Sequence, residues 1–451
     1  MYNIVSKIIA FQRPTTLYIR SQMPINKIRL LILWSCFLTI TAYAQDTELD
    51  VLSYKLTIEP NIQNQSIEAS LLIQFEVADG TEKIALDASN LEIDGVSGTS
   101  VLSYNKVGSK LVIELSPQNQ TQHELTIEYH GKPKRGLLFN PDLNQAHTVY
   151  FTDQWMVCNN QPSDRATFFL NIILPKGMQS IASGSSLGVE DKGEKALHKW
   201  HQDYETPPYT YGFVIGSFTE ATEQIGDVKL HYYSSELDEY KLKEVFTETA
   251  NILEFFEQKS GLEYVQDSYS QILIGDNYQE MSGLSVLAKA YPPFVFKDSS
   301  EIHLTSHELA HQWWGNMITC EDFGHFWLNE AFAVYMSSAF SEHKFGLKKY
   351  QSDIAIYKNI YDDLVKRGKD RPLIFKEWRP SRDNRNVIYY KGAYVLHLLR
   401  EELGDEAFWK GIRSYSTRYF GKSVKTEDFK LAMEKATSTN LDDFFDTWVY
   451  K

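Results

Sequence analysis

From residue 50 to about 235, apolar and polar side chains alternate. In SIEASLLIQFEV (66–77), Ile67, Ala69, Leu71, Ile73, Phe75 and Val77 fall on one face, and the other face is mostly polar. That is the pattern of a strand with one side in a core. SYKLTIEP, KLVIEL, HELTIEYHG and YTYGFVIGSF continue it, broken by turns such as VADGTEK and LPKG, where Gly, Pro, Asp and Asn suit a chain reversal. The segment predicts a β-rich domain.

After residue 236 the period lengthens. In ELDEYKLKEVFTETANILEFFEQKSG (236–261), Leu242, Val245, Phe246, Thr249, Leu253 and Phe256 share one helical face, and Gly261 is the stop. Two strand-like runs, YSQILIGD and SGLSVLAKAY, come next, and helical patterns follow to the end. The class is therefore α+β. The pattern divides it into a β domain over 45–235 and a mainly α domain over 236–451.

The first residues stand apart from both. Lys27 and Arg29 precede the apolar run LLILWSCFLTI (30–40) and then TAYAQ, with Ala42 and Ala44 at small-residue positions. Residues 1–44 thus read as a signal-peptide region, with cleavage before Gln45 and a conventional start at Met23. A membrane anchor is the competing reading of the same run. Beyond residue 44 no stretch approaches the roughly 20 apolar residues of a membrane helix, so no transmembrane segment is expected in the mature chain. Export to the periplasm, or secretion, follows.

Removing residues 1–44, with five basic and no acidic side chains, takes the formal net charge from −14 to −19. So acidic a protein is a poor partner for nucleic acid and mildly favours cationic ligands such as peptide amines. Only Cys158 and Cys320 remain beyond the leader. Two cysteines do not make a disulfide scaffold, and either a bond or two free thiols fits them.

The chemistry concentrates in DSSEIHLTSHELAHQWWGN (298–316). It predicts a helix that starts at Asp298–Glu301 in a capping-box-like arrangement and stops at Gly315 and Asn316. His307 and His311 are i and i+4 on it, their Cβ atoms about 6 Å apart, close enough to share one zinc ion. Glu308 lies beside them without having to ligate. A third ligand is needed, and Glu330 offers one. It sits in the apolar helix pattern HFWLNEAFAVYMSSAF, where an unpaired carboxylate would be costly to bury. Eighteen residues between His311 and Glu330 suffice for a turn and a return. His303 and His325 read as packed or solvated neighbours, and Trp313 and Trp314 as core.

HELAHQWWGN, the 18-residue gap and WLNEAFAVY together resemble the zinc site of the gluzincin aminopeptidases, the aminopeptidase N family. CNNQPSDRATF (158–168) resembles that family's Cys-x-Asp-x-Pro-x-x-Lys-Ala segment, YYKGAYVLHLL (389–399) its Tyr-x-Lys-Gly helix, and TSTNLDDFFDTWVYK the end of its catalytic domain. The resemblance implies a saddle-like N-terminal β domain followed by a thermolysin-like catalytic domain with one Zn2+ per chain. It implies His307, His311 and Glu330 as metal ligands, and Glu308 as the base that moves a proton from the zinc-bound water to the leaving amine. It also implies Tyr389 as the donor that helps stabilise the oxyanion.

Some positions depart from the family. Its Gly-x-Met-Glu-Asn segment corresponds to NYQEMSGL (277–284), where only Glu280 survives. Glu280 then inherits the role of binding the substrate α-ammonium, and the backbone around it that of holding the peptide as an added strand. Gln154 is the nearest candidate for the family's β-domain glutamine, and Ala331 replaces a usual glycine. The usual domains after the catalytic one have no counterpart here, so an open cleft is expected. The reading is an exported zinc aminopeptidase acting on peptides with a free N-terminus. A metallopeptidase with altered end specificity and a non-catalytic peptide-binding protein on this fold are its rivals.

Overall fold

The computed structural model describes residues 49–116, 121–376 and 381–451; the expected signal-peptide region lies outside them. The alternating half folds as expected into three sheets. A seven-stranded sheet runs, in spatial order, Ser185–Lys192, Lys195–Thr206, Ala166–Pro175, Asp50–Asn61, Ser66–Glu76, Gln122–Gly131 and Leu91–Ser97. All its pairs are antiparallel except Asp50–Asn61 with Ala166–Pro175. The apolar face read in residues 66–77 is buried on this sheet, Leu71, Ile73 and Phe75 completely. A four-stranded sheet and a three-stranded sheet complete the β half. Of YTYGFVIGSF only Phe213–Gly216 is strand; Pro208–Thr210 winds into a 3-10 turn.

The second half has its own core and its own sheet, in the order Thr219–Ile225, Val228–Ser234, Ser268–Leu273, Leu284–Leu287 and Gln279–Met281. Two of these strands precede residue 235, yet Val228–Ser234 pairs in parallel with Ser268–Leu273. The single helix expected over 236–261 is two, Glu239–Val245 and Thr249–Ser260. The break comes where the Thr249 hydroxyl turns to donate to Gln271 Oε1 at 2.8 Å. Gly261 does end the second of them, in the left-handed region at φ 73°.

A few bonds tie the halves together. Arg165 donates to Thr319 Oγ1 at 2.6 Å and to the carbonyls of Glu205 and Asn316 at 2.7 and 2.9 Å. Tyr209 donates its hydroxyl to Gly315 O at 2.9 Å and accepts from Asn329 Nδ2. Cys158 and Cys320 are buried and unpaired. No helix among the described residues is long and apolar enough to cross a membrane.

Candidate active site

Two helices carry the candidate ligand side chains. The first, His303–Ala310, is shorter than the sequence predicts at both ends. Asp298 does not cap it. Its carboxylate accepts instead from the amide and hydroxyl of Ser300, closing a turn, and the helix starts after Ile302 without a side-chain cap. At the other end His311 caps the helix, because the chain folds back: Asn316 N donates to His311 O and Gly315 N to Ile318 O. Gly315 has φ 151°, and a Cβ there would stand 2.9 Å from His311 Nδ1. A side chain at 315 would push against the imidazole.

That loop orients His311. Its Nδ1 lies 3.1 Å from Trp314 O, a contact that works only with the proton on Nδ1, leaving the Nε2 lone pair free for a metal. Trp313 and Trp314 are core as expected, their indole nitrogens donating to Leu262 O and Ser416 Oγ. Glu330 lies in the first turn of the second helix, Trp327–Phe345, where the helix dipole favours a carboxylate. Asn329 anchors that turn by accepting from Cys320 N at 3.1 Å.

The three groups converge. His307 Nε2 and His311 Nε2 are 3.1 Å apart, and Glu330 Oε2 is 3.3 and 3.5 Å from them. Tetrahedral zinc with ligands at its usual 2.0–2.1 Å sets ligand atoms about 3.3–3.4 Å from one another, and these edges bracket that value. Glu330 Oε2 is buried without a hydrogen-bond partner, a cost that a cation removes. The residues present therefore fit a zinc ion. Burial opposes ionisation of Glu330, but His311 and His307 more than offset it and hold the carboxyl below its usual range. Burial likewise opposes charge on His311, yet Glu330, with Glu280 and Glu308, lifts it to about 10.

Glu308 is buried next to the triangle. Burial raises it well above the ordinary carboxylate range; Glu280 and Glu330 push the same way and His311 opposes them. Carboxyls shifted upward suit proton transfer near neutral pH. Glu280 stands on the edge strand Gln279–Met281, and ligand atoms of Glu280, Glu308 and His311 lie within 4.8 Å of one another. His311 is common to both clusters, so they cannot hold two ions at once. Tyr389 stacks parallel on His307 with ring centres 6.0 Å apart. Burial, followed by Glu330, keeps its hydroxyl protonated and so a donor.

Several positioning groups carry no signal in the pattern. Gln312 donates to Met281 O at 3.1 Å and accepts from Gly283 N at 2.9 Å, joining the histidine helix to the edge strand. Tyr150, at φ 52°, donates its amide to Gln279 Oε1 at 2.7 Å, and Glu280 and Glu308 both act on its hydroxyl. Gln154 does not take the place expected of it. It is buried in the β half and accepts from Asn90 Nδ2 at 2.8 Å. Tyr389 lies in a π-helical stretch, Val387–Lys391, braced by Lys391, whose ammonium donates to Asp370 and to Arg371 O. Gly392 follows because a Cβ there would come within 2.6 Å of Ala331 Cβ. His303 pairs with Asp353 at 3.2 Å and His325 with Thr426, so neither joins the triangle.

Comparison with known proteins agrees with this geometry. The family model described as the peptidase M1 N-terminal domain matches residues 51–210, and the peptidase family M1 domain matches 245–448. Leucine aminopeptidase 2 of Emericella nidulans is 27% identical over 373 residues, 77% of this chain and 58% of that one. Glutamyl aminopeptidase of Sus scrofa is 27% identical, covering 89% of this chain and 47% of that one. The chain thus spans about half the length of the curated relatives it matches. Among solved structures, a two-domain M1 zinc metallopeptidase bound to L-tryptophan has a TM-score of 0.76 at 21% identity, covering 90% of this chain and 95% of that one. The M1 zinc metallopeptidase from Deinococcus radiodurans has a TM-score of 0.74 at 22% identity, covering 89% and 94%.

Proposed function

Since the chain belongs to peptidase family M1, matching it in both the N-terminal and the catalytic domain, we propose that it is a zinc aminopeptidase that removes residues from the free N-terminus of peptides. The observation that carries the reading is the pairing of two sites that share His311. One is the ligand triangle His307, His311 and Glu330; the other is the cluster of Glu280, Glu308 and His311. The first fits zinc, and Glu280 in the second offers an ammonium-sized anionic neighbour.

The zinc would supply Lewis-acid polarisation at the scissile carbonyl and the attacking water. The remaining work falls to the chain. Glu280 takes the substrate α-ammonium and so admits one residue ahead of the cleaved bond. Glu308 Oε accepts a proton from the water and returns it to the leaving amine. The Tyr389 hydroxyl donates to the carbonyl oxygen as charge builds on it. The edge strand Gln279–Met281 pairs with Leu284–Leu287 along one side, and an extended peptide would add along the other by backbone hydrogen bonds.

We infer export on the strength of residues 23–44; N-terminal sequencing of protein recovered outside the cytoplasm should begin at Gln45. Activity is tested with purified, zinc-loaded protein and a mixed peptide pool, half of it N-acetylated, followed by mass spectrometry. Stepwise N-terminal loss from the free peptides alone is expected. Internal fragments, or indifference to acetylation, would replace this reading with that of a peptidase of different end specificity.

A further inference from the structure

The helix Arg382–Asn386 carries a positive charge that none of the roles above uses. Ser381 caps it, its Oγ accepting from the amides of Asp383 and Asn384. Arg367 grips the Asp383 carboxylate with two bonds of 2.7 and 3.0 Å, and Arg371 donates to Asn384 Oδ1 at 3.1 Å. These bonds fix the roll of the helix about its axis. Arg385 then precedes Tyr389 by four residues, across the π-helical stretch, and its guanidinium stands 5.5 Å from the centre of the Tyr389 ring. Tyr389, Glu330 and Tyr150 are the groups its charge acts on first.

Three other arginines are spent on carboxylates or carbonyls: Arg367 on Asp363 and Asp383, Arg400 on Glu342 and Asp405, Arg165 on the contact between the halves. Arg385 is exposed, and among the described residues no carboxylate lies within ion-pair distance of it. A guanidinium with no ion pair among the described residues, close enough to Glu330 for their charges to interact, is placed for an anion that arrives from outside. A short peptide brings one. Its ammonium end is taken by Glu280, and its α-carboxylate must then lie in a cleft that already holds Glu280, Glu308 and Glu330.

Resting on the aminopeptidase reading, we propose that Arg385 binds the C-terminal carboxylate of di- and tripeptides, so that this protein prefers short peptides whose C-terminus is free. Extended residues advance about 3.3–3.6 Å each. A carboxylate one or two residues beyond the scissile bond therefore lies within roughly two such steps of the carbonyl that Tyr389 faces, the zone in which the guanidinium stands. Its planar fork matches a carboxylate bidentately, which a lysine does not.

A merely structural role is the alternative, in which the cation over the Tyr389 ring holds that side chain in place. Such a role would weaken every substrate alike. The carboxylate role changes a ratio, so the ratio is the readout. Zinc-loaded wild type, Arg385→Gln and Arg385→Lys are compared on Leu-Gly-Gly and on its C-terminal amide. Wild type should favour the acid by about tenfold in kcat/KM, mostly through KM. Arg385→Gln should bring the ratio near one, whatever happens to the absolute rates, and Arg385→Lys should fall between.

Calorimetric binding of the same two peptides to Glu308→Gln protein, with and without Arg385→Gln, repeats the comparison without turnover. A ratio near one in wild type, or one that Arg385→Gln leaves unchanged, overturns the proposal even if N-terminal residues are released. Tighter binding of the acid that depends on Arg385, in a protein that cleaves neither peptide, upholds the proposal while the aminopeptidase reading falls.

Discussion

The metal triangle and the edge strand beside it are joined by the hydrogen bonds of Gln312 and are held in different ways. In the triangle His311 is fixed by a bond from its ring to Trp314 O and Glu330 by a helix start that Asn329 anchors. Little there can be exchanged. The edge strand is held through backbone atoms, Met281 O and Gly283 N to Gln312, and Tyr150 N to Gln279. Backbone contacts accept many sequences. The sequence differs between them in the same sense: HELAHQWWGN resembles the family pattern throughout, whereas NYQEMSGL shares only Glu280 with it.

The contrast can be broken at the triangle first. Glu308→Gln should retain one zinc per chain, measured by elemental analysis, and lose about 10²–10⁴-fold in kcat. Turnover near the wild-type rate would remove Glu308 from the chemistry. Next comes the ammonium anchor. Glu280→Ala should cost roughly 10–100-fold in kcat/KM on peptides with a free amine, the worth of a charged hydrogen bond. If the residual activity on N-acetylated peptides falls as far, Glu280 is not the anchor. A smaller effect is expected from Gln312→Ala, which leaves the ligands in place and frees the strand. KM should rise by several-fold, and stability should drop by about 1–3 kcal/mol because a buried amide loses its partner.

The last variant should leave both regions alone. Asp164 is buried in the β half, with Oδ1 accepting from Val51 N and Oδ2 unpartnered. Burial raises its pKa from 3.8 to about 7. Because the folded value lies above the unfolded one, the native state holds this proton more tightly, and stability falls as pH rises from about 4 to 7. The loss is at most about 4 kcal/mol. Asp164→Asn should therefore raise the melting temperature at pH 8, have little effect at pH 4 and leave kcat unchanged. An equal shift at both pH values would mean that the carboxyl is not the cause.

Much of this was legible from the pattern. Period-two alternation located the sheets because one face of each strand is buried, and HExxH with a later buried Glu picked out three side chains that the structure brings together. Boundaries were less legible, since competing hydrogen bonds decide them. Asp298 could cap a helix or close a turn on Ser300, and it closes the turn; nothing in composition chooses between the two. Tyr150 and Gln279 were invisible because a left-handed tyrosine and a glutamine serving a backbone amide have no periodic signature. Tyr389 emerged only from the family resemblance, since a π-helical stretch looks like any helix from its sequence. Arg385 was overlooked because only the folded chain brings its guanidinium to the Tyr389 ring.

Gln312 is one residue past His311 on the chain and grips the strand on either side of Ser282. The span from ligand to anchor is thus a length set by one amide side chain rather than by the flexing of two domains. A protein built this way carries a gauge. If Glu280 takes the ammonium, the distance from that end to the cleavage point is measured before any side chain is inspected. Residues would be removed one at a time because the gauge has room for one.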